Sequence, residues 1–180
     1  MNIHRNPLCG RNFEYYSEDP LLTGKMAAAM VRGVQSQGIS ACVKHFACNN
    51  KEVNRADSDS RLTERALREI YLKGFEIAVK EAQPWTLMTS YNIVNGVRAS
   101  ENKELLTDIL RGEWGYQGLV ITDWWNHSTN HDREVAAGND IKMPRGMPDT
   151  LLAAVKDGSL SFDCVRASTR RLLEMILKLD

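Results

Sequence analysis

The run Leu119-Val120-Ile121-Thr122 ends in a carboxylate, Asp123, and two indoles, Trp124 and Trp125, follow directly. The apolar, β-branched residues after Gly118 read as a buried strand. In parallel α/β folds, a polar residue at the carboxyl end of such a strand faces the ligand-binding side of the sheet. A carboxylate there suits a nucleophile, and flat apolar rings beside it suit the faces of a sugar ring. The competing reading makes Asp123 the N-cap of a following helix. Other polar residues recur at equivalent places: Lys44 and His45 close one apolar run, Tyr91 closes another, and Arg11, Asn50, Glu52 and Arg55 fall on loops. Each has an ordinary reading as well. Lys44 fits a solvated strand-end lysine, His45 a hydrogen-bonded core histidine, and Tyr91 a core aromatic. The set carries more weight than any member, because barrel enzymes draw catalytic groups from the ends of several strands. Lys44 and His45 are adjacent, and neighbours on a strand point to opposite faces. For both to reach one site, the backbone must kink between them.

Those groups require a scaffold of alternating strands and helices. The first dozen residues read as loop. Asp19-Pro20 opens a helix as N-cap and first turn, with Leu22, Met26, Met30, Val31 and Val34 on one apolar face and Gly38 after its end. Ile39 to Phe46 reads as a strand, with Cys42 as a small core residue, and residues 47–60 as polar loop. A long helix is expected from Thr63 to Glu81, its buried face made by Leu67, Ile70, Tyr71, Phe75, Ala78 and Val79. Pro84 blocks its continuation. Then come a strand over Thr86 to Tyr91, a helix over Lys103 to Trp114 and the strand that ends at Asp123. A short helix over Arg133 to Ala137, a brief strand over Ile141 to Met143 and two further helices follow, one after Met147-Pro148 and one over Phe162 to Leu179. Alternation of this kind implies a parallel sheet with helices outside it. A complete eight-stranded barrel takes about 250 residues. The fold expected is therefore α/β, an incomplete (β/α)8 TIM-barrel-like domain over residues 1–180 that lacks the first strands.

Composition narrows the function classes. Of 180 residues, 43% are hydrophobic and 26% charged, the profile of a globular domain. Lys+Arg and Asp+Glu both number 23, so no basic surplus points to nucleic acid or anionic lipid. No apolar run reaches the length of a membrane span. The start, Met-Asn-Ile-His-Arg-Asn-Pro, has no apolar signal region, which makes the cytoplasm the expected location. The four cysteines form no C-x-x-C pair, so neither a disulfide framework nor a zinc knuckle is expected.

The motifs carry a family resemblance. Lys44-His45-Phe46-Ala47-Cys48-Asn49-Asn50-Lys51-Glu52-Val53-Asn54-Arg55 resembles the KHFxxNxxExxR signature of glycoside hydrolase family 3, of the β-glucosidase/β-xylosidase type. Gly10-Arg11-Asn12-Phe13-Glu14 with Ser17-Glu18-Asp19-Pro20 is similar to its GRNxE…S-x-DP segment, and Ser90-Tyr91-Asn92…Asn95-Gly96 to its SYNxxNG segment. Thr122-Asp123-Trp124 stands where that family usually has Ser-Asp-Trp, and Ala137-Gly138-Asn139-Asp140…Met143-Pro144 resembles its AGxDxxMP segment. The resemblance implies that Asp123 is the nucleophile of a retaining, exo-acting glycosidase and that Tyr91 sits beside it. It further implies that Arg11, Lys44, His45 and Arg55 bind sugar hydroxyls and that Trp124 lines the −1 subsite. No cofactor and no metal are implied. Family members carry further barrel strands before this region. Their general acid/base is usually a Glu in a C-terminal domain, so a missing domain or a second copy is the expected partner, besides a carbohydrate substrate. The N-acetylglucosaminidase branch is excluded, because the loop after Phe46 reads Ala-Cys-Asn-Asn-Lys-Glu rather than carrying an Asp-His pair.

Four other readings compete. The chain is then a catalytically inactive fragment or a sugar-binding remnant of such an enzyme. Lys44 at a strand end is then the Schiff-base lysine of a barrel lyase. Asp123, His127, His131 and Asp132 are then metal ligands, although Asn126, Ser128, Thr129 and Asn130 are poor formers of the helix that spacing needs. Glu52 is then a stand-in for the absent acid.

Overall fold

The computed structural model describes residues 1–179. Its elements run α1 (Pro20–Gln35), β1 (Cys42–Phe46), β2 (Asp59–Ser60), α2 (Glu64–Ala66), α3 (Lys73–Ala82), β3 (Thr86–Thr89), β4 (Ile93–Val94), β5 (Val97–Arg98), β6 (Leu119–Ile121), α4 (His131–Ala137), α5 (Pro148–Asp157) and α6 (Phe162–Leu179). Asp19 caps α1, its side chain accepting the Leu22 amide at 2.8 Å, and Pro20 sits in the first turn where no amide is needed. The buried face of α1 is not the expected stripe. Leu22, Met26 and Met30 are exposed, and the buried residues are Thr23, Gly24, Ala27, Ala28 and Val31. Close approach is the cause: a Cβ on Gly24 would stand 2.7 Å from Ile77 Cβ on α3, so small residues make this contact.

The expected helix over 63–81 is present but not uniform. Thr63 caps α2 by accepting the Ala66 amide, and a π-helical stretch, Leu67–Tyr71, links α2 to α3. The wide turns rotate the buried face, so Ile70 is exposed while Leu67, Phe75, Ala78 and Val79 stay buried. The second expected helix, Glu104–Glu113, is π-helical throughout and buries Leu105, Leu106, Ile109 and Leu110.

β1, β3 and β6 pair in parallel in chain order, with Val43 opposite Leu87 and Leu87 opposite Val120. One parallel bridge, Ile121 to Ile141, adds the rung expected of a strand at 141–143. Helices cross between successive strands, which makes the sheet an arc of a (β/α) barrel. Leu87 and Val120 are fully buried, and Phe46 meets Phe75 and Trp114 edge-on with ring centroids 5.0 and 5.9 Å away. Truncating Phe46 to Ala would remove about 3–5 kcal/mol of packing. Cys42 is not a core residue: it is exposed, on the strand at the sheet's edge.

A second, small sheet lies outside the sequence expectation. β4 and β5 form a hairpin around Asn95 and Gly96, whose φ angles are +49° and +90°. A two-residue hairpin turn of type I′ demands positive φ at both places, and Asn-Gly supplies it. β2 joins β4 in parallel, so residues 59–60 are strand rather than loop. Among the described residues no helix is long and apolar enough to cross a membrane.

Candidate active site

Because β1, β3 and β6 are parallel neighbours, Lys44, His45, Tyr91 and Asp123 all lie at one end of the sheet. The register slips between Val43 and Phe46, which interrupts the alternation of Lys44 and His45. The Lys44–His45 peptide is cis. β6 ends at Ile121, and Thr122 then anchors the segment behind it: its amide donates to Ile141 O at 2.9 Å and its Oγ1 accepts from the Met143 amide at 2.8 Å. Asp123 therefore stands just past a strand held on both sides. It does not cap a helix, since the next one, α4, begins at His131.

The two oxygens of Asp123 differ. Oδ1 accepts the Trp124 amide at 2.7 Å, which fixes the carboxylate's orientation. Oδ2 is buried and lacks a hydrogen-bond partner. His45 Nε2 stands 3.4 Å from it without hydrogen-bond alignment. That contact is no ion pair. Burial, followed by the positive charges of Arg11, Lys44 and Arg55, pushes the His45 imidazole down to about 2, so it is neutral. Tyr91 donates its hydroxyl to Trp124 O, and Arg55 stacks over the Tyr91 ring at 4.6 Å. Burial and the Asp123 charge raise the Tyr91 phenol above its usual range, which keeps it a protonated donor. Trp124 is half-exposed, and its indole forms part of the open surface beside the carboxylate.

Arg11 and Lys44 converge on a residue with no role assigned from the sequence, Glu14. Arg11 Nε stands 2.5 Å from Glu14 Oε1 and Lys44 Nζ 3.5 Å from Oε2. The first contact is close but misaligned, so Oε1 stays without a true hydrogen bond. Lys44 is thus ion-paired and partly open to solvent, unlike the desolvated amine that Schiff-base chemistry uses. Glu52 is also occupied: Arg55 Nη1 donates to one oxygen at 2.8 Å and Asn49 Nδ2 to the other at 3.3 Å. Asn50 turns away from the site, donating to Ile3 O at 2.5 Å.

The loops that hold Arg55 and Tyr91 are joined. Arg98 Nη1 donates to Ala56 O at 2.8 Å and to Tyr91 O at 3.0 Å, and β2 pairs with β4 between them. Behind Asp123 lies a buried polar network that sequence reasoning missed. Lys142 Nζ meets Glu134 Oε2 at 2.9 Å and Asn126 Oδ1 at 2.7 Å, and Ser100 Oγ donates to Glu134 Oε1 at 2.9 Å. It holds Asn126 in a turn whose neighbours Trp125 and His127 both have positive φ. A carboxylate within the buried side of α4 was the available signal for it. A cavity of about 460 Å³ opens over this turn, lined by Trp125, His127, Arg145 and Met147 among others. His127 and His131 share no helix, and His131 Nδ1 accepts the Met147 amide at 3.0 Å. Among the described residues no three His, Cys, Asp or Glu side chains gather as metal ligands.

The geometry gathers cations, a phenol and an indole around a carboxylate whose Oδ2 has no hydrogen-bond partner, groups whose chemistry suits a polyhydroxylated ring. The family described as Glycosyl hydrolase family 3 N terminal domain matches residues 1–175. Beta-glucosidase A of Butyrivibrio fibrisolvens is 62% identical over 160 residues, which cover 89% of this chain and 19% of that protein. An exo-alpha-(1->6)-L-arabinopyranosidase of Bifidobacterium breve is 51% identical across 89% of this chain and 21% of its own length. Beta-glucosidase 3B from Thermotoga neapolitana, solved in complex with alpha-D-glucose, superposes with a TM-score of 0.95 at 49% identity, covering 99% of this chain and 26% of that one. The chain spans about a fifth of the length of the curated relatives it matches.

Proposed function

The chain belongs to glycosyl hydrolase family 3, and from that premise we propose that residues 1–180 form one domain, the nucleophile-bearing part of a retaining exo-acting glycosidase. The observation that carries the reading is the asymmetry of Asp123, with Oδ1 clamped by the Trp124 amide and Oδ2 buried and unpartnered. Oδ2 attacks the anomeric carbon of a terminal β-linked sugar. The new carbon–oxygen bond forms as the leaving oxygen departs with its electron pair, and water later releases the glycosyl-aspartate. Arg11, Lys44, neutral His45 and Arg55 hold the sugar's hydroxyls. Tyr91 fixes the backbone at Trp124, and Trp124 offers the apolar floor of the −1 subsite. The names of the relatives support a β-glucoside, and the β-xyloside alternative rests on the motif resemblance alone.

Retaining hydrolysis uses a second carboxyl group about 5–5.5 Å from the nucleophile, which protonates the leaving oxygen. Glu52 is tied to Arg55 and Asn49, so this reading assigns the acid to another domain or a second copy. The 180-residue chain by itself then binds sugar without turning over unactivated glycosides.

An activated 2-deoxy-2-fluoro-β-glucoside, whose leaving group needs no acid, tests the nucleophile. Mass spectrometry of the trapped protein should find the label on Asp123, and Asp123→Asn should abolish it. For the longer polypeptide, Asp123→Asn should lower kcat by at least about 10³-fold. A label on any other residue refutes the assignment.

A further inference from the structure

Glu14 is the only carboxylate within ion-pair reach of Arg11 or Lys44 among the described residues. It comes from a short 3-10 turn, Asn12–Glu14, whose backbone is pinned by the Glu14 amide donating to Arg11 O at 3.1 Å. Lys44 comes from the end of β1, across the site. Glu14 therefore ties a loop cation to a strand cation through one carboxylate, at 2.5 and 3.5 Å.

We infer that Glu14 is a positioning residue for sugar recognition: it holds Arg11 and Lys44 as one hydroxyl-reading pair. The inference rests on the glycosidase reading above, which makes Arg11 and Lys44 sugar contacts. Two physical points support it. A hydroxyl is read well only when its donor is fixed before the sugar arrives, because ordering long cationic side chains on binding costs affinity. Without Glu14, neither cation keeps an ion-pair partner among the described residues, and both side chains are free to move. Glu14 is suited to the task because it stays ionised. Burial raises its carboxyl, but the contacts with Arg11 and Lys44 outweigh burial and hold it below the usual carboxylate range.

The test uses the polypeptide that carries this chain at its natural length, with p-nitrophenyl β-D-glucopyranoside and its series of monodeoxy analogues. Glu14→Gln keeps the shape and removes the charge. It should raise KM for the parent glucoside by about 10- to 100-fold, the effect of loosening one or two charge-assisted hydrogen bonds. The penalty should shrink to about 2-fold on whichever monodeoxy substrate lacks the hydroxyl that the pair reads. Glu14→Asp, which restores the charge on a shorter arm, should recover part of the loss. It also serves as the readout should the Gln variant fail to fold: a rise in KM that disappears on the same deoxy substrate is expected. Equal losses on every substrate, deoxy analogues included, would make Glu14 part of the scaffold only and overturn the inference, as would a KM unchanged in both variants. A wild-type polypeptide that neither turns over the glucoside nor binds D-glucose sinks the glycosidase reading itself, and this inference with it.

Discussion

Replacing Lys142 by Met should loosen the turn that follows Asp123 without touching Arg11, Lys44, His45 or Arg55. The Lys142 side chain is 6% exposed and its partner Glu134 is fully buried, so neither can turn to water when the other is lost. Breaking a buried pair from one side costs about 3–5 kcal/mol, most of it from the charge left behind. Glu134 keeps two donors, Ser100 Oγ and Asn126 Nδ2, which puts the expected loss at the low end, about 3 kcal/mol. That corresponds to a rise of about 100- to 200-fold in the opening constant of the segment. Hydrogen exchange of the amides from His127 to Glu134, read by mass spectrometry, measures this opening directly, in the chain or in a longer polypeptide. The double variant Lys142→Met/Glu134→Leu removes both charges and should recover most of the loss. Exchange in the single variant within about 3-fold of wild type would mean that the pair is better solvated than its burial implies, and the argument would fail.

Two further outcomes follow from the same structure. His45 falls from an ordinary 6.5 to about 2 on folding, so below pH 6.5 the unfolded chain takes up a proton that the folded chain refuses. Stability from this group is whole above pH 6.5 and drains toward acid by about 1.4 kcal/mol per pH unit, with His131 acting in the same direction. Urea midpoints of wild type and His45→Asn should converge as pH falls from 7 toward 4, and a constant gap would refute the assignment. Gly118→Ala sets a Cβ 2.5 Å from both Trp85 O and the Tyr116 hydroxyl oxygen, which forces β6 to move. It should lower the melting temperature by a loss of about 1–3 kcal/mol, and an unchanged melting curve would show that the strand has room.

Much of this molecule is legible in its sequence, for reasons that differ from place to place. The parallel strands are readable because apolar runs bounded by Gly, Pro and Asn have few alternatives, and the Asp19-Pro20 helix start is a local signal that needs no tertiary partner. The α1 face is misread because periodicity ranks large residues above small ones. Only the neighbouring helix decides that Gly24, Ala27 and Ala28 face inward. Cys42 is misread because being on an edge strand is a property of the sheet and not of the strand. The π-helical turns leave no mark in a pattern read at 3.6 residues per turn, which is why Ile70 is placed on the wrong side. The β4–β5 hairpin carries a clear mark, Asn95-Gly96 between Val94 and Val97, though the same residues also fit the SYNxxNG motif, which says nothing of a turn. At the site, strand-end position identifies Lys44, His45, Tyr91 and Asp123. Glu14 is invisible because a carboxylate near an arginine in sequence reads as a surface pair until the fold brings Lys44 to it.

Arg98 and the β2–β4 pairing stitch the loop that bears Arg55 to the loop that bears Tyr91. Their sequence histories should be stitched as well. A substitution that shifts one loop moves the guanidinium and the ring together, so changes in residues 52–60 and 90–98 will combine non-additively, each setting the background on which the other is tolerated. Random libraries that vary one loop at a time will therefore report it as intolerant. Exchanging the two loops together between relatives is the route by which Arg55 and Tyr91 keep their mutual placement.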